Sequence, residues 1–124
     1  MKVIPATVLA ATMIALFSSA AMAQTKGDWI LGNYKGGGYW YPGVIASVKG
    51  SKVTIQYDDG DRETLPVSET KPYNWSIGKK VECNYQGQGK WYRGTIASLA
   101  GAKIGIAYDD GDQETTRTGR CRSR

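Results

Sequence analysis

Four acids crowd one short stretch of the chain, Asp58, Asp59, Asp61 and Glu63, and four more follow 51 residues later, Asp109, Asp110, Asp112 and Glu114. Such clusters raise the question of a divalent cation. A helix–loop–helix calcium loop takes ligands at alternate positions, glycine at the sixth and glutamate at the twelfth; neither cluster keeps that spacing. A turn with solvated carboxylates is the better reading, and no metal is expected. General acid–base catalysis fares no better, because acids on an exposed turn have nothing to raise a pKa toward neutrality. The 124-residue chain has no histidine to act as base or zinc ligand. No nucleophile has a partner. The sequence therefore predicts no catalytic residue, no cofactor and no enzyme.

The acids belong to a larger pattern. Asn33, Tyr34, Gly36, Gly38, Trp40, Tyr41 and Gly43 recur as Asn84, Tyr85, Gly87, Gly89, Trp91, Tyr92 and Gly94, and Tyr57 through Thr64 recurs as Tyr108 through Thr115. Over residues 33–64 and 84–115, 20 of 32 positions are identical without a gap, which excludes chance and marks a duplicated domain. Within each copy the apolar period is two, not 3.6. Val53, Ile55 and Tyr57 alternate with Thr54 and Gln56, and Ile104, Ile106 and Tyr108 repeat the alternation, the pattern of a half-buried strand. The acidic stretches around Gly60 and Gly111 are strong turn signals, since Asp tolerates left-handed backbone and Gly supplies positive φ. Gly50 with Ser51, and Gly101 with Ala102, mark a second hairpin in each copy.

Four or five short strands in ~45 residues suit a small, strongly bent barrel, which also removes exposed sheet edges. The expected fold is all-β: two tandem SH3-like, five-stranded barrels over 24–71 and 78–124, joined by a linker over 72–77. In the linker Pro72 suits extended chain and Trp75 is placed to pack between the barrels. Units this small bury little apolar surface. Cys83 falls in the first strand of the second barrel and Cys121 in its last, neighbours in SH3-like order, so a disulfide would close a loop of about 39 residues and contribute ~4 kcal/mol in the chain-entropy model. Two buried free thiols are the alternative. Gly32 and Thr70 occupy the matching positions of the first copy, which is expected to lean on the second.

The string of aromatic residue, Gly-rich loop, Trp-Tyr-x-Gly-x-Ile and Tyr-Asp-Asp-Gly-x-x-Glu resembles the Tudor domain and its plant relative, the Agenet domain, twice over nearly the whole chain beyond residue 23. In that family an aromatic cage at one end of the barrel holds a methylated lysine or arginine. Carried over position by position, the resemblance implies a cage of Tyr34, Tyr41, Tyr57 and Asp59 in the first copy, and of Tyr85, Tyr92, Tyr108 and Asp110 in the second. Ring faces attract a cation with about 0.5–2 kcal/mol each. The competing reading is that these tyrosines merely pack the barrels. Trp40 and Trp91 alternate to the opposite strand face and are expected in the core. Tyr39 and Pro42 become Lys90 and Arg93 in the second copy, which would set two cations beside its cage and favour the first copy as the cation site.

The N-terminus points to export. Lys2 precedes an uncharged apolar run from Val3 to Phe17, and small residues lead to Ala21-x-Ala23, a signal-peptidase site cutting between Ala23 and Gln24. Residues 1–23 thus read as a signal peptide of bacterial type, its apolar run of about 15 residues short for a bilayer span of ~20; an uncleaved anchor is the alternative. The mature chain would hold no transmembrane segment and would sit in the periplasm or outside the cell, where paired cysteines oxidise. Its charge is uneven. Residues 27–71 carry five cations and six acids, whereas residues 78–124 carry nine and five, with Arg117, Arg120, Arg122 and Arg124 gathered at the end. That tail is either a solvated end or a contact for a polyanion such as nucleic acid or an anionic envelope surface. Three functions stay open: a binding module for a peptide or cationic group, a polyanion binder, and a structural envelope module that contacts a partner protein.

Overall fold

The computed structural model describes residues 24–124; residues 1–23, read above as a signal peptide with its cut after Ala23, lie outside the described residues. Ten strands form two five-stranded antiparallel sheets. The first contains β1 (Trp29–Asn33), β2 (Trp40–Lys49), β3 (Lys52–Tyr57), β4 (Arg62–Pro66) and β5 (Thr70–Pro72) in the order β4-β3-β2-β1-β5. The second contains β6 (Lys80–Asn84), β7 (Trp91–Ala100), β8 (Lys103–Tyr108), β9 (Gln113–Arg117) and β10 (Cys121–Arg122) in the corresponding order β10-β6-β7-β8-β9. No helix among the described residues is long and apolar enough to cross a membrane.

The long second strand of each sheet bends at a register shift, between Ile45 and Ser47 in β2 and between Ile96 and Ser98 in β7. An extra residue on one strand increases local twist and lets a short sheet curl over its own core. Alternation then decides what is inside. Ile30, Ile45, Val53, Ile55, Tyr57 and Leu65 fill the first barrel. Val81, Cys83, Ile96, Ile104, Ile106, Tyr108 and Cys121 fill the second, where Cys83 and Cys121 face each other across β6 and β10 and form a disulfide.

The two barrels are joined through side chains that each sheet turns outward. Leu31, on the face of β1 opposite Ile30, is buried in the second cluster with Trp75, and Trp40 and Tyr73 pack against it. The chain end crosses the gap: Trp40 and Ser123 exchange backbone hydrogen bonds at 2.7 and 2.9 Å as an isolated antiparallel bridge, and Trp75 Nε1 donates to Ser123 Oγ at 3.2 Å. This corrects the expectation that Trp40 and Trp91 are core residues. Alternation does put them opposite the tyrosines, but the tyrosine face is the one that points inward, so both tryptophans are half-buried on the outer face.

Candidate aromatic cages

At one end of each barrel, three tyrosines come together from three different elements. Tyr34 follows β1 in a short 3-10 turn, Tyr41 lies near the start of β2, and Tyr57 ends β3. The turn that carries Tyr34 is held by Asn33, whose Oδ1 accepts the Gly38 N–H at 2.8 Å and whose Nδ2 donates to Glu69 at 2.8 Å. Asn84 repeats the first of these bonds, accepting from Gly89. Gly43 explains the Trp-Tyr-x-Gly motif: it pairs with Tyr57, and a Cβ there would come within 2.6 Å of Ile55 Cγ2 and 2.8 Å of Tyr57 Cα.

The rings stand nearly at right angles. In the first barrel the centroids of Tyr34, Tyr41 and Tyr57 are 5.4–6.5 Å apart with interplanar angles of 72–83°. In the second, Tyr85, Tyr92 and Tyr108 are 5.5–6.5 Å apart at 85–89°. Tyr57 and Tyr108 are the buried floor of each set.

A carboxylate that the residue-by-residue transfer left out organises each rim. Tyr57 donates its hydroxyl to Glu63 Oε1 at 2.7 Å, while Glu63 Oε2 accepts the Lys35 N–H at 3.0 Å. Glu114 does the same for Tyr108 and the Gln86 N–H, at 2.7 and 2.9 Å. Burial first, then the bond to the neighbouring glutamate, pushes both phenols far above the ordinary tyrosine range. Asp59 and Asp110 are exposed, and each accepts the N–H two residues on at 2.9 Å, stabilising its own turn. The signal for Glu63 and Glu114 was present, as the last acid of each repeated motif; its pairing with a tyrosine six residues earlier depends on the β3–β4 and β8–β9 hairpins.

Residues 33–75 match the Agenet domain. Since the second copy repeats the first, the protein is a tandem of Agenet-like, that is Tudor-like, barrels. Two solved structures are similar: the crystal structure of Arabidopsis thaliana AGDP1 AGD34, at 15% identity and a TM-score of 0.43, covering 86% of this chain and 86% of that one; and the ADCP1 tandem Agenet domain 3-4, at 14% identity and a TM-score of 0.42, covering 86% and 84%. No curated protein sequence matches the chain.

The two Agenet-like rims differ in their surroundings. At the first, Lys35 Nζ lies 5.3 Å over the Tyr34 ring, Arg122 Nη1 donates to the Tyr41 hydroxyl at 3.1 Å, and Trp91 of the second barrel stands edge-on to Tyr41. At the second, no lysine or arginine among the described residues lies over Tyr85, Tyr92 or Tyr108, and Tyr92 is 43% exposed. Arg93, expected beside this rim, instead sits across from Glu82 on the outer face, because successive strand residues point to opposite sides.

Nor do the four C-terminal arginines form one free tail. Arg122 is sandwiched between Tyr39 and Trp91, 3.7 and 4.0 Å from their ring centroids, and bonded to Glu82 at 3.0 Å. Burial pulls its pKa down, but the bonds to Tyr41 and Glu82 outweigh that and hold it above the usual arginine value. Arg124 donates to the Tyr39 hydroxyl at 2.8 Å. Arg120 covers Gly87, and Arg117 ends β9 opposite Lys103.

Proposed function

We propose that the protein is a non-enzymatic binding module whose second barrel takes a cationic group, of the methyl-ammonium kind, on the rim formed by Tyr85, Tyr92 and Tyr108. One observation carries this: three near-perpendicular rings, one of them 43% exposed, with no lysine or arginine among the described residues over any of them. The rings stand edge to face with centroids 5.5–6.5 Å apart, so a cation that settles on the exposed face of Tyr92 stays within the ~6 Å reach of a cation–π contact. The family match supports the reading, since Agenet domains are reader modules for methylated peptides. Glu114 holds the floor ring in place, and Asp110 supplies negative charge at the adjoining turn. The first rim is the weaker site, because Lys35 and Arg122 already bring positive charge to its rings.

The test is a titration of the protein with a trimethyllysine peptide and its unmodified counterpart, followed by tyrosine ring NMR. Shifts at Tyr85, Tyr92 and Tyr108 with the methylated peptide, and weakening of about tenfold in Tyr92→Ala, are expected, each lost ring contact being worth ~0.5–2 kcal/mol. Unmoved Tyr92 and Tyr108 resonances would end this assignment.

A further inference from the structure

Residues 24–124 carry a net charge of +4, the chain's +5 less Lys2. A single groove of about 330 Å³ on the outer face of β10, β6 and β7 accounts for all of it: Lys79, Lys80, Arg93, Arg122 and Arg124 line it with one acid, Glu82. Elsewhere the described cations and acids balance.

Strand register sets Arg122, Glu82 and Arg93 in one row across three strands. Within that row the donors are unequally occupied. Arg122 spends Nε and Nη2 on Glu82 and Nη1 on Tyr41, so it neutralises the groove's only acid and stays fixed by its aromatic sandwich. Lys80 reaches Asp109 at 2.9 Å. Arg93 and Lys79 take part in none of the side-chain hydrogen bonds or salt bridges of the described residues. Two uncommitted cations thus border a groove whose acid is already answered.

We propose that this groove binds a phosphate ester, gripped by Arg93 and Lys79 against the fixed positive charge of Arg122. The guanidinium of Arg93 offers a planar fork that matches two phosphate oxygens, and Lys79 adds a mobile point charge. The volume is at the small end of ligand sites, enough for one or two phosphate groups on a flexible chain rather than the side of a duplex. The site is separate from the tyrosine rim and does not rest on it.

Calorimetric titration of the protein with inorganic pyrophosphate at low and high salt tests the site. Binding that weakens with salt is expected, and Arg93→Ala and Lys79→Ala should each reduce affinity roughly tenfold, the scale of one charge-assisted hydrogen bond. Arg93 is exposed, so its removal spares the fold. A variant with Arg117→Ala and Arg120→Ala, cations outside the groove, should bind as the parent does. A short oligothymidylate and phosphatidylglycerol vesicles then separate the sources: whichever competes with pyrophosphate on the parent but not on Arg93→Ala supplies the ester. Absence of salt-sensitive pyrophosphate binding, or equal losses in the groove variants and the Arg117/Arg120 variant, would overturn the proposal.

Discussion

Arg122, in the last strand of the second barrel, donates a hydrogen bond to the hydroxyl of Tyr41, 81 residues earlier in the first barrel, at 3.1 Å. The same guanidinium is stacked by Tyr39 from the first copy and Trp91 from the second, and is paired with Glu82. One side chain therefore helps to tie the two barrels together and engages the hydroxyl of one tyrosine of the first rim.

Arg122→Ala should destabilise the protein by about 1–3 kcal/mol. Removing one partner of a largely desolvated pair leaves the other uncompensated, and the cost is moderated here because Glu82 keeps 25% of its side-chain exposure. Arg122→Lys should recover little of the loss, since an ammonium can neither fork onto Glu82 and Tyr41 nor stack between two rings. Chemical denaturation of the three proteins checks both statements, with ring NMR of Tyr41 reporting the change at the first rim.

The period-two alternation, the turn glycines and the 51-residue repeat made the barrels legible from the sequence, because those features depend only on neighbours along the chain. The joint was not legible. Leu31 follows Ile30 and by alternation should face water; it is 1% exposed because a second barrel lies on it. Trp40, Trp91 and Arg122 belong to the same surface, where contacts span 40 to more than 80 residues and follow from how two finished barrels dock. The three tyrosines of each rim are named by the sequence and the fold does bring them together, but the surroundings of the rims were not legible: Arg122 reaches Tyr41 from the other barrel, while Arg93 points away.

Gly43→Ala and Gly94→Ala should each cost about 1–3 kcal/mol by overpacking. The methyl would press on Ile55 Cγ2 and the Tyr57 backbone in the first case, and on Ile106 Cγ2 at 2.6 Å in the second. Gly37→Ala, whose Cβ would meet nothing closer than 3.5 Å, should stay within ~0.5 kcal/mol. Thermal melts of the three variants make the comparison.

Reduction of the disulfide should cost ~2–4 kcal/mol in the chain-entropy model. β10 is only Cys121 and Arg122, paired to Cys83 and Glu82, so the bond holds the strand that also carries the Arg122 clamp and the Ser123 bridge to Trp40. Denaturation with and without reductant should therefore show the joint loosening along with the second barrel, read as exposure of Trp75 by fluorescence. A Cys83→Ser, Cys121→Ser variant that melts like the oxidised parent would contradict this.

Three of the eight tyrosines should resist ionisation at alkaline pH. Burial raises Tyr73 to about 12, with Asp58 adding to it, and its hydroxyl has no hydrogen-bond partner among the described residues; burial and then Glu63 or Glu114 raise Tyr57 and Tyr108 further. In the unfolded chain each phenol ionises near pH ~10. The folded state favours the protonated form, so its contribution to stability is complete below that pH and is lost as pH rises toward the folded pKa values. Absorbance of tyrosinate should thus show at least three phenols still protonated at about pH 11, released together as the protein unfolds. Glu114→Gln keeps an acceptor for Tyr108 but removes the charge, and should bring that phenol's titration down relative to the parent without moving Tyr57, whose partner Glu63 is in the other barrel.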